Sequence, residues 1–240
     1  IRRCVDDYQM IEEDDAIAVG VSGGKDSLVL LTALARLREF YPVPFTVEAF
    51  TLDMGAAEGR PGMDFSPIAQ LCREMEVPYT ILGSEIQHII FDVRKEKNPC
   101  SMCAKMRRGA LHDTAKELGC NKLALGHHKD DAVETFIMNL FDQGRIGCFS
   151  PVSYLSRKDL TVIRPLFFVD EADVIGFWHK YQLPVAKSPC PADGHTRREY
   201  SKQLLRQLNL ENPGVKNRMF TAILNAELSD WPDRIIPARH

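Results

Sequence analysis

The apolar positions of the chain alternate between two rhythms. Ala16 to Val21 is a short, β-rich apolar run, which predicts a buried strand. Leu28, Leu31, Leu34, Ala35 and Leu37 then recur at helical spacing, and Pro42 and Pro44 separate that helix from a second strand, Phe45 to Leu52. Pro67 to Glu76 predicts a helix stopped before Pro78, and Tyr79 to Leu82 a third short strand. Ser101 to Leu118 predicts a long helix with Gly119 as its stop signal. Lys122 to Gly126 is expected to be a fourth strand and Asp130 to Phe141 the next helix. Three more helices are expected at Glu171 to Tyr181, Thr196 to Leu208 and Val215 to Leu224. Residues 55 to 64 carry four glycines or prolines and predict a loop. Residues 142 to 165 read as loop with one extended piece, Thr161 to Ile163. Arg2, Arg3, Asp6 and Asp7 suggest a short solvated helix at the start.

Strands alternating with helices predict an α/β fold with a doubly wound, mainly parallel sheet, followed by a small helical C-terminal part. The expected division is residues 1–168 for the sheet domain and 169–240 for the helical part. In such sheets ligands bind at the carboxyl ends of the strands. The Ser22 to Ser27 turn, Asp53 and the Gly126, His127, His128 segment all follow strand ends, so one crevice is expected to gather them.

Composition narrows the class. At 240 residues the chain can bury a full core, and 45% hydrophobic with 26% charged residues is globular usage. No apolar run reaches the length of a membrane span, and no signal-peptide pattern opens the chain, which begins at Ile1 rather than methionine. Seven cysteines without a secretory pattern argue for reduced thiols or metal ligands. A net charge of −3 means that any nucleic-acid contact must rest on local basic patches.

Candidate chemistry begins at Ser22-Gly23-Gly24-Lys25-Asp26-Ser27, between the first strand and its helix. Its glycines let the backbone turn and let an anion approach the N–H groups, the helix adds its positive dipole end, and Lys25 adds a full charge. That is a phosphate cradle without Walker spacing. The plain alternative is a glycine-rich turn that only joins strand to helix. Asp26, Asp130 and Asp131 are the carboxylates best placed for Mg²⁺, which takes one or two carboxylates besides phosphates. Asp130 as a helix N-cap is the structural alternative. A second constellation is Cys100 and Cys103, spaced C-x-x-C at a helix start, with Cys190 far downstream between prolines. His195 is able to complete a zinc set with them. Cys72 and Cys120 read as small core residues, and Cys4 and Cys148 match no ligand pattern. Lys95, Lys97, Lys105, Arg107 and Arg108 cluster around the C-x-x-C, while Arg197, Arg198, Lys202 and Arg206 share a later helix. Both groups are candidate RNA contacts or ordinary solvated faces.

The Ser22 to Ser27 segment resembles the PP-loop of the N-type ATP pyrophosphatases, which cleave ATP between its α and β phosphates and adenylate a carbonyl or carboxyl oxygen. With Cys100 to Gly109, Leu125 to Asp131, Arg164-Pro165-Leu166 and Cys190, the chain is similar to the TtcA/TtuA group of tRNA thiolation enzymes from about Met10 to Cys190. The resemblance implies an adenine nucleotide alpha hydrolase-like fold and an ATP-dependent sulfurtransferase that replaces a pyrimidine oxygen of tRNA, as in 2-thiocytidine. It implies a [4Fe–4S] cluster held by Cys100, Cys103 and Cys190. ATP would meet Ser22, Gly23, Gly24, Lys25, Asp26, Ser27, Asp53, Gly126, His127 and Arg164. Mg²⁺ would meet Asp26 and Asp131, with Lys25, Asp130 and Asp131 catalytic. Arg107, Arg108, Arg197, Arg198 and Lys202 would contact RNA. Partners would be tRNA, a sulfide or persulfide donor and a second copy in a homodimer, in the cytoplasm and away from membranes. Where some members carry a further cysteine after the third ligand, this chain has Asp193. The rivals are an amidating ligase on the same scaffold with a structural zinc, thiolation of a small molecule, and a non-enzymatic nucleotide or redox sensor.

Overall fold

The structure is a computed structural model and describes residues 1–54, 63–86, 88–93, 99–186, 197–226, 228 and 231. Strand β1 (Asp15–Gly20) forms at the predicted apolar run and pairs in parallel with β2 (Phe45–Asp53) on one side and β4 (Lys122–Ala124) on the other. β3 (Tyr79–Gly83) extends the sheet beyond β2, and β6 (Leu160–Ile163) extends it beyond β4, both parallel. β5 (Val152–Leu155) closes the far edge antiparallel to β6. The order is β3-β2-β1-β4-β6-β5, so the winding changes direction between β1 and β4. In such sheets ligands bind at the carboxyl ends of the two strands that flank that switch point.

Alternation along each strand divides the core into two layers. Ile17 and Val19 of β1 face a large cluster. It includes α2 (Lys25–Leu37), α3 (Ser66–Glu74), α5 (Lys129–Gln143) and α6 (Glu171–Tyr181). Ala18 faces a smaller one with Phe50, Leu123 and Val162, roofed by Ala115 and Leu111 of α4 (Pro99–Glu117). The sheet is therefore covered on both faces, as expected. Leu28, Leu30, Leu31 and Leu34 of α2 are fully buried, at roughly 1.5–3 kcal/mol each, which fixes the helix that starts at the phosphate loop. Leu205 of α7 (Arg197–Glu211) and Phe220 and Ile223 of α8 (Val215–Asn225) join the same large cluster.

Three expectations change. The first helix, α1 (Arg2–Asp7), is not solvated: Cys4 and Val5 are buried, and Tyr8 packs on Phe168 at 5.8 Å. Its arginines point outward and hide an apolar face too short to show a period. The 142–165 stretch is not only loop with Thr161 to Ile163, because β5 and β6 form a hairpin there. Short runs at a sheet edge carry little periodic signal. A π-helical turn, His88–Val93, precedes α4 and was not anticipated. No helix among the described residues is long and apolar enough to cross a membrane.

Candidate active site

The turn after β1 is knitted by its own side chains. The Ser27 hydroxyl donates to the Gly24 carbonyl at 2.9 Å and accepts the Ser22 amide at 3.1 Å. Gly23 sits at φ +80°, where an L side chain is strained, and a Cβ there would meet Met63 Cε at 2.9 Å. Gly24 caps α2 in extended backbone. α2 thus begins at the carboxyl edge of the sheet, with its orphan amides and positive dipole end on the ligand side. Gly126, just past β4, lies against this start: a Cβ would come within 2.9 Å of the Asp26 carbonyl carbon. Glycine is required there because the end of one strand touches the loop of another.

Charged groups converge on the same edge. Lys25 Nζ lies 2.9 Å from Asp26 Oδ1 and 3.3 Å from Glu171 Oε1. Burial opposes its charge, but Asp26 and then Glu171 prevail and hold its pKa above the ordinary lysine value. Asp26 Oδ1 is also 3.6 Å from His128 Nε2, and Asp131 Oδ2 is 3.5 Å from His128 Nδ1. His128, not Asp130, caps α5: its ring accepts the Asp131 amide while the Asp131 carboxylate accepts the His128 amide at 3.0 Å. The helix starts one residue earlier than predicted, which moves the cap. Asp130 is instead a clamp. One oxygen accepts the Glu171 amide at 2.7 Å and the other pairs with Lys216 of α8. Burial pushes its pKa up, but Lys216 and the Glu171 amide outweigh it and hold the carboxyl below its usual range.

Beside this row lies a group built around an aromatic ring. His127 packs on Phe149 at 5.0 Å, and the Arg164 guanidinium lies 5.2 Å from the same ring. Arg164 donates to the Ser150 carbonyl at 2.6 Å. Desolvation, then the Arg164 charge, pushes the His127 pKa down to about 4, so its imidazole is neutral at pH 7. Glu134 is buried on α5, and desolvation followed by the Asp131 charge raises its pKa to about 7. Asp53 ends β2, and its carbonyl accepts the Ser84 amide at 2.8 Å.

The structure brings Lys25, Asp26, His128, Asp131 and Gly126 together, while Asp53 of the same expected crevice stands against Ser84. It pairs three of the basic residues of α7 with carboxylates. Arg198 reaches Asp131 at 2.6 Å, Lys202 reaches Glu171 at 2.6 Å, and Arg197 pairs with Asp142. Arg107 and Arg108 are exposed on α4. Glu171 and Glu134 went unnoticed in the sequence. Glu171 showed only as the start of a helix, and nothing local marks Glu134.

Four of the described cysteines are ordinary core thiols. Burial pushes Cys72 and Cys120 up to about 11 and Cys4 and Cys148 up to about 12. Cys103 lies on α4 near its start, partly exposed. α4 runs back towards β4, so it too begins at the carboxyl edge of the sheet. The Cys100 side chain, and Lys95, Lys97, Cys190, Asp193 and His195, lie outside the described residues, as do residues 55–62 of the expected loop.

Comparison with known proteins places this geometry. The model of the PP-loop domain family matches residues 1–208. A tRNA-cytidine(32) 2-sulfurtransferase of Geobacter metallireducens is 39% identical over 98% of this chain and 91% of its own length. The protein of that name from Ralstonia pickettii is 33% identical over 97% of this chain and 73% of its own. Among solved structures, the U34-tRNA thiolase NcsA from Methanococcus maripaludis, with its [4Fe–4S] cluster, superposes with a TM-score of 0.75 at 24% identity. It covers 93% of this chain and 76% of that one, a likeness of fold. The phosphate loop at the β1/β4 switch point, continued by near-full-length similarity, shows that the chain belongs to the PP-loop family, in the company of these tRNA-cytidine(32) 2-sulfurtransferases.

Proposed function

We propose that the chain is an ATP-dependent sulfurtransferase that converts a tRNA cytidine to 2-thiocytidine, the reaction for which its relatives are named. The observation that carries this reading is the phosphate loop at the switch point, with Lys25 at the start of α2 held against Asp26 and Glu171. The C2 oxygen of the base attacks the α-phosphorus of ATP and pyrophosphate leaves. Sulfide then adds at C2, and AMP departs with the former base oxygen.

The residues divide this work. Lys25 and the amides of Ser22 to Ser27 balance the charge that grows on the leaving pyrophosphate. Asp26 and Asp131 flank His128 and are the carboxylates we assign to Mg²⁺. Asp130 acts on them indirectly, by fixing the start of α5 against α6 and α8. Asp53 and neighbouring backbone receive adenosine. Gly126 lets β4 close on the loop, and neutral His127 and Arg164 stand against the Phe149 ring beside it. Arg107 and Arg108 offer exposed charge to RNA, joined by α7.

The donor set suits an iron–sulfur cluster. Cys4, Cys72 and Cys120 are buried and the Cys148 thiol donates to the Ala132 carbonyl, while Cys100, Cys103 and Cys190 are the three thiols that the family resemblance assigns to the cluster. Three thiolates would hold a [4Fe–4S] cluster, and the chemistry it would supply there is delivery of sulfide. A sulfide or persulfide donor, a homodimer and a cytoplasmic setting belong to the same proposal. Anaerobic reconstitution tests it. About four irons and four sulfides per chain are expected. With ATP, sulfide and tRNA, 2-thiocytidine should form in step with pyrophosphate. Cys103→Ala and Cys190→Ala should lose the cluster and thiolation but keep ATP binding. Stoichiometric zinc with ammonia-dependent amidation would overturn the reading in favour of a ligase.

A further inference from the structure

Lys25 is the cation the phosphate loop offers to ATP, yet its ammonium is already shared between Asp26 at 2.9 Å and Glu171 at 3.3 Å. Asp26 is the next residue and belongs to the loop. Glu171 comes from far along the chain, and its placement is built. Its backbone amide donates to Asp130 at 2.7 Å, and Asp130 is itself held by Lys216. The Glu171 side chain is 16% exposed, and the oxygen that faces Lys25 lies 2.6 Å from Lys202 on α7. One carboxylate oxygen therefore stands between two ammonium groups, one in the phosphate loop and one on the C-terminal helices.

We propose that Glu171 is a resident anion of the phosphate loop, which occupies Lys25 until nucleotide phosphate displaces it, and that Lys202 is the counter-cation that takes over its charge. The inference rests on the loop's holding ATP as proposed above. An ammonium between two carboxylates has little attraction left for a third anion, and a phosphate entering beside Glu171 meets like charge. When Lys25 turns to the phosphate, Glu171 keeps Lys202 as its partner. Lys202 therefore assists ATP without touching it, and Glu171 opposes ATP while leaving the loop's backbone untouched. Neither role follows from the loop motif, and each has the opposite sign to the other.

That opposition makes the test sharp. ATP is titrated calorimetrically into the full chain, with EDTA and again with Mg²⁺. Glu171→Gln should tighten ATP by about 3- to 10-fold, because a competing charge is gone. Lys202→Met should weaken it by a similar factor, because Glu171 then pairs with Lys25 alone. In the double variant the Lys202 effect should vanish, since it acts only through the carboxylate. Glu171→Asp keeps the charge and should not tighten ATP, and thermal melts confirm that each variant is folded. Weaker ATP binding in Glu171→Gln would overturn the inference: loss with Mg²⁺ only would make Glu171 a metal ligand, and loss in both buffers a nucleotide contact. A Lys202 effect that persists in the double variant overturns it as well. If the parent chain binds ATP and Lys25→Ala abolishes this, but Glu171→Gln does not tighten it, the inference alone fails. If the parent chain binds no ATP, the reading of the loop fails with it.

Discussion

Two ion-pair networks sit at opposite ends of β1 and β4, and they are built on opposite principles. At the amino end, Lys122 Nζ lies 2.6 Å from Asp15 Oδ2, with side-chain exposures of 6% and 3%. The other Asp15 oxygen accepts Asn121 Nδ2 at 2.7 Å, Oδ2 also takes the Glu12 amide at 2.6 Å, and Asn121 Oδ1 accepts the Ala16 amide at 2.9 Å. Each member is committed, and the pair staples two neighbouring strands. At the carboxyl end, single oxygens are shared between two side chains rather than between a side chain and a backbone amide: Asp26 Oδ1 faces Lys25 and His128, and Glu171 Oε1 faces Lys25 and Lys202. The pairs are partly solvated, with Lys25 at 23% and Asp26 at 34% exposure. A buried network with nothing left over fixes a fold. A shared, half-wet one can trade partners when a ligand arrives.

Breaking the first network should produce the largest change. Asp15→Ala leaves the Lys122 ammonium buried, with only the exposed Glu12 at 3.0 Å for a partner. Loss of one member of a buried pair costs roughly 3–5 kcal/mol, read as a fall in the urea midpoint. Pyrophosphate release per folded molecule should be unchanged. Equal stability to the parent chain would show that the amino-end pair is not a staple. Lys25→Ala should do the reverse. Release of pyrophosphate should drop by on the order of 10²–10³, the usual cost of one lost electrostatic contact to a reacting group. Its melting temperature should barely move, and full activity would remove Lys25 from the mechanism.

The same contrast explains what could be read in advance. The phosphate loop was legible because its constraints are local: the Ser22 and Ser27 contacts span five residues, and two glycines and a lysine carry its chemistry. The order of strands and helices was legible too, since β1, β2 and α2 each have a clear period. Pairings across the chain left no such mark. Asp130 meets Lys216 at a separation of 86 residues, and in the sequence it reads as a candidate catalytic or Mg²⁺ carboxylate, or a helix cap, because that partner leaves no local mark. Glu171 looked like any acidic residue opening a helix, which is where a carboxylate is ordinarily favoured. The apolar face of α1 and the β5 edge strand failed for another reason, being too short for periodicity to separate them from loop. Cys72 and Cys120, by contrast, were read as core from the helical runs around them.

Two titratable groups beside the carboxyl-end network add a pH signature. His127 titrates near pH 4 when folded instead of 6.5, so its contribution to stability rises as pH climbs through that window. Glu134 titrates near 7 instead of 4.5, so its contribution is present below 4.5 and is lost as pH rises towards 7. The two slopes oppose each other between 4.5 and 6.5 and should largely cancel in the parent chain. Single variants unmask them. In thermal melts across this range, His127→Gln should leave stability falling with pH, and Glu134→Gln should leave it rising. Parallel curves for all three proteins would mean that neither group is perturbed.

The smallest effect should come where the carboxyl-end network reaches solvent. Arg197 and Arg198 are adjacent on α7 but stand differently. Arg198 donates to Asp131 and lies 3.3 Å from Thr135, both on α5, so it belongs to the crevice. Arg197 is 69% exposed, pairs with Asp142 and lies 5.8 Å over the Tyr200 ring. An exposed pair of this kind is worth at most about 1 kcal/mol, so an RNA phosphate can take the guanidinium at little cost. Arg197→Ala should weaken tRNA binding modestly and lower the slope of log affinity against log salt by about one, the mark of a single lost phosphate contact. ATP affinity should not change. Arg198→Ala should instead alter ATP binding, because it releases Asp131 beside His128. If Arg197→Ala leaves the salt slope where it was, the outer face of α7 does not meet RNA, and the exposed Arg107 and Arg108 on α4 become the surface to test.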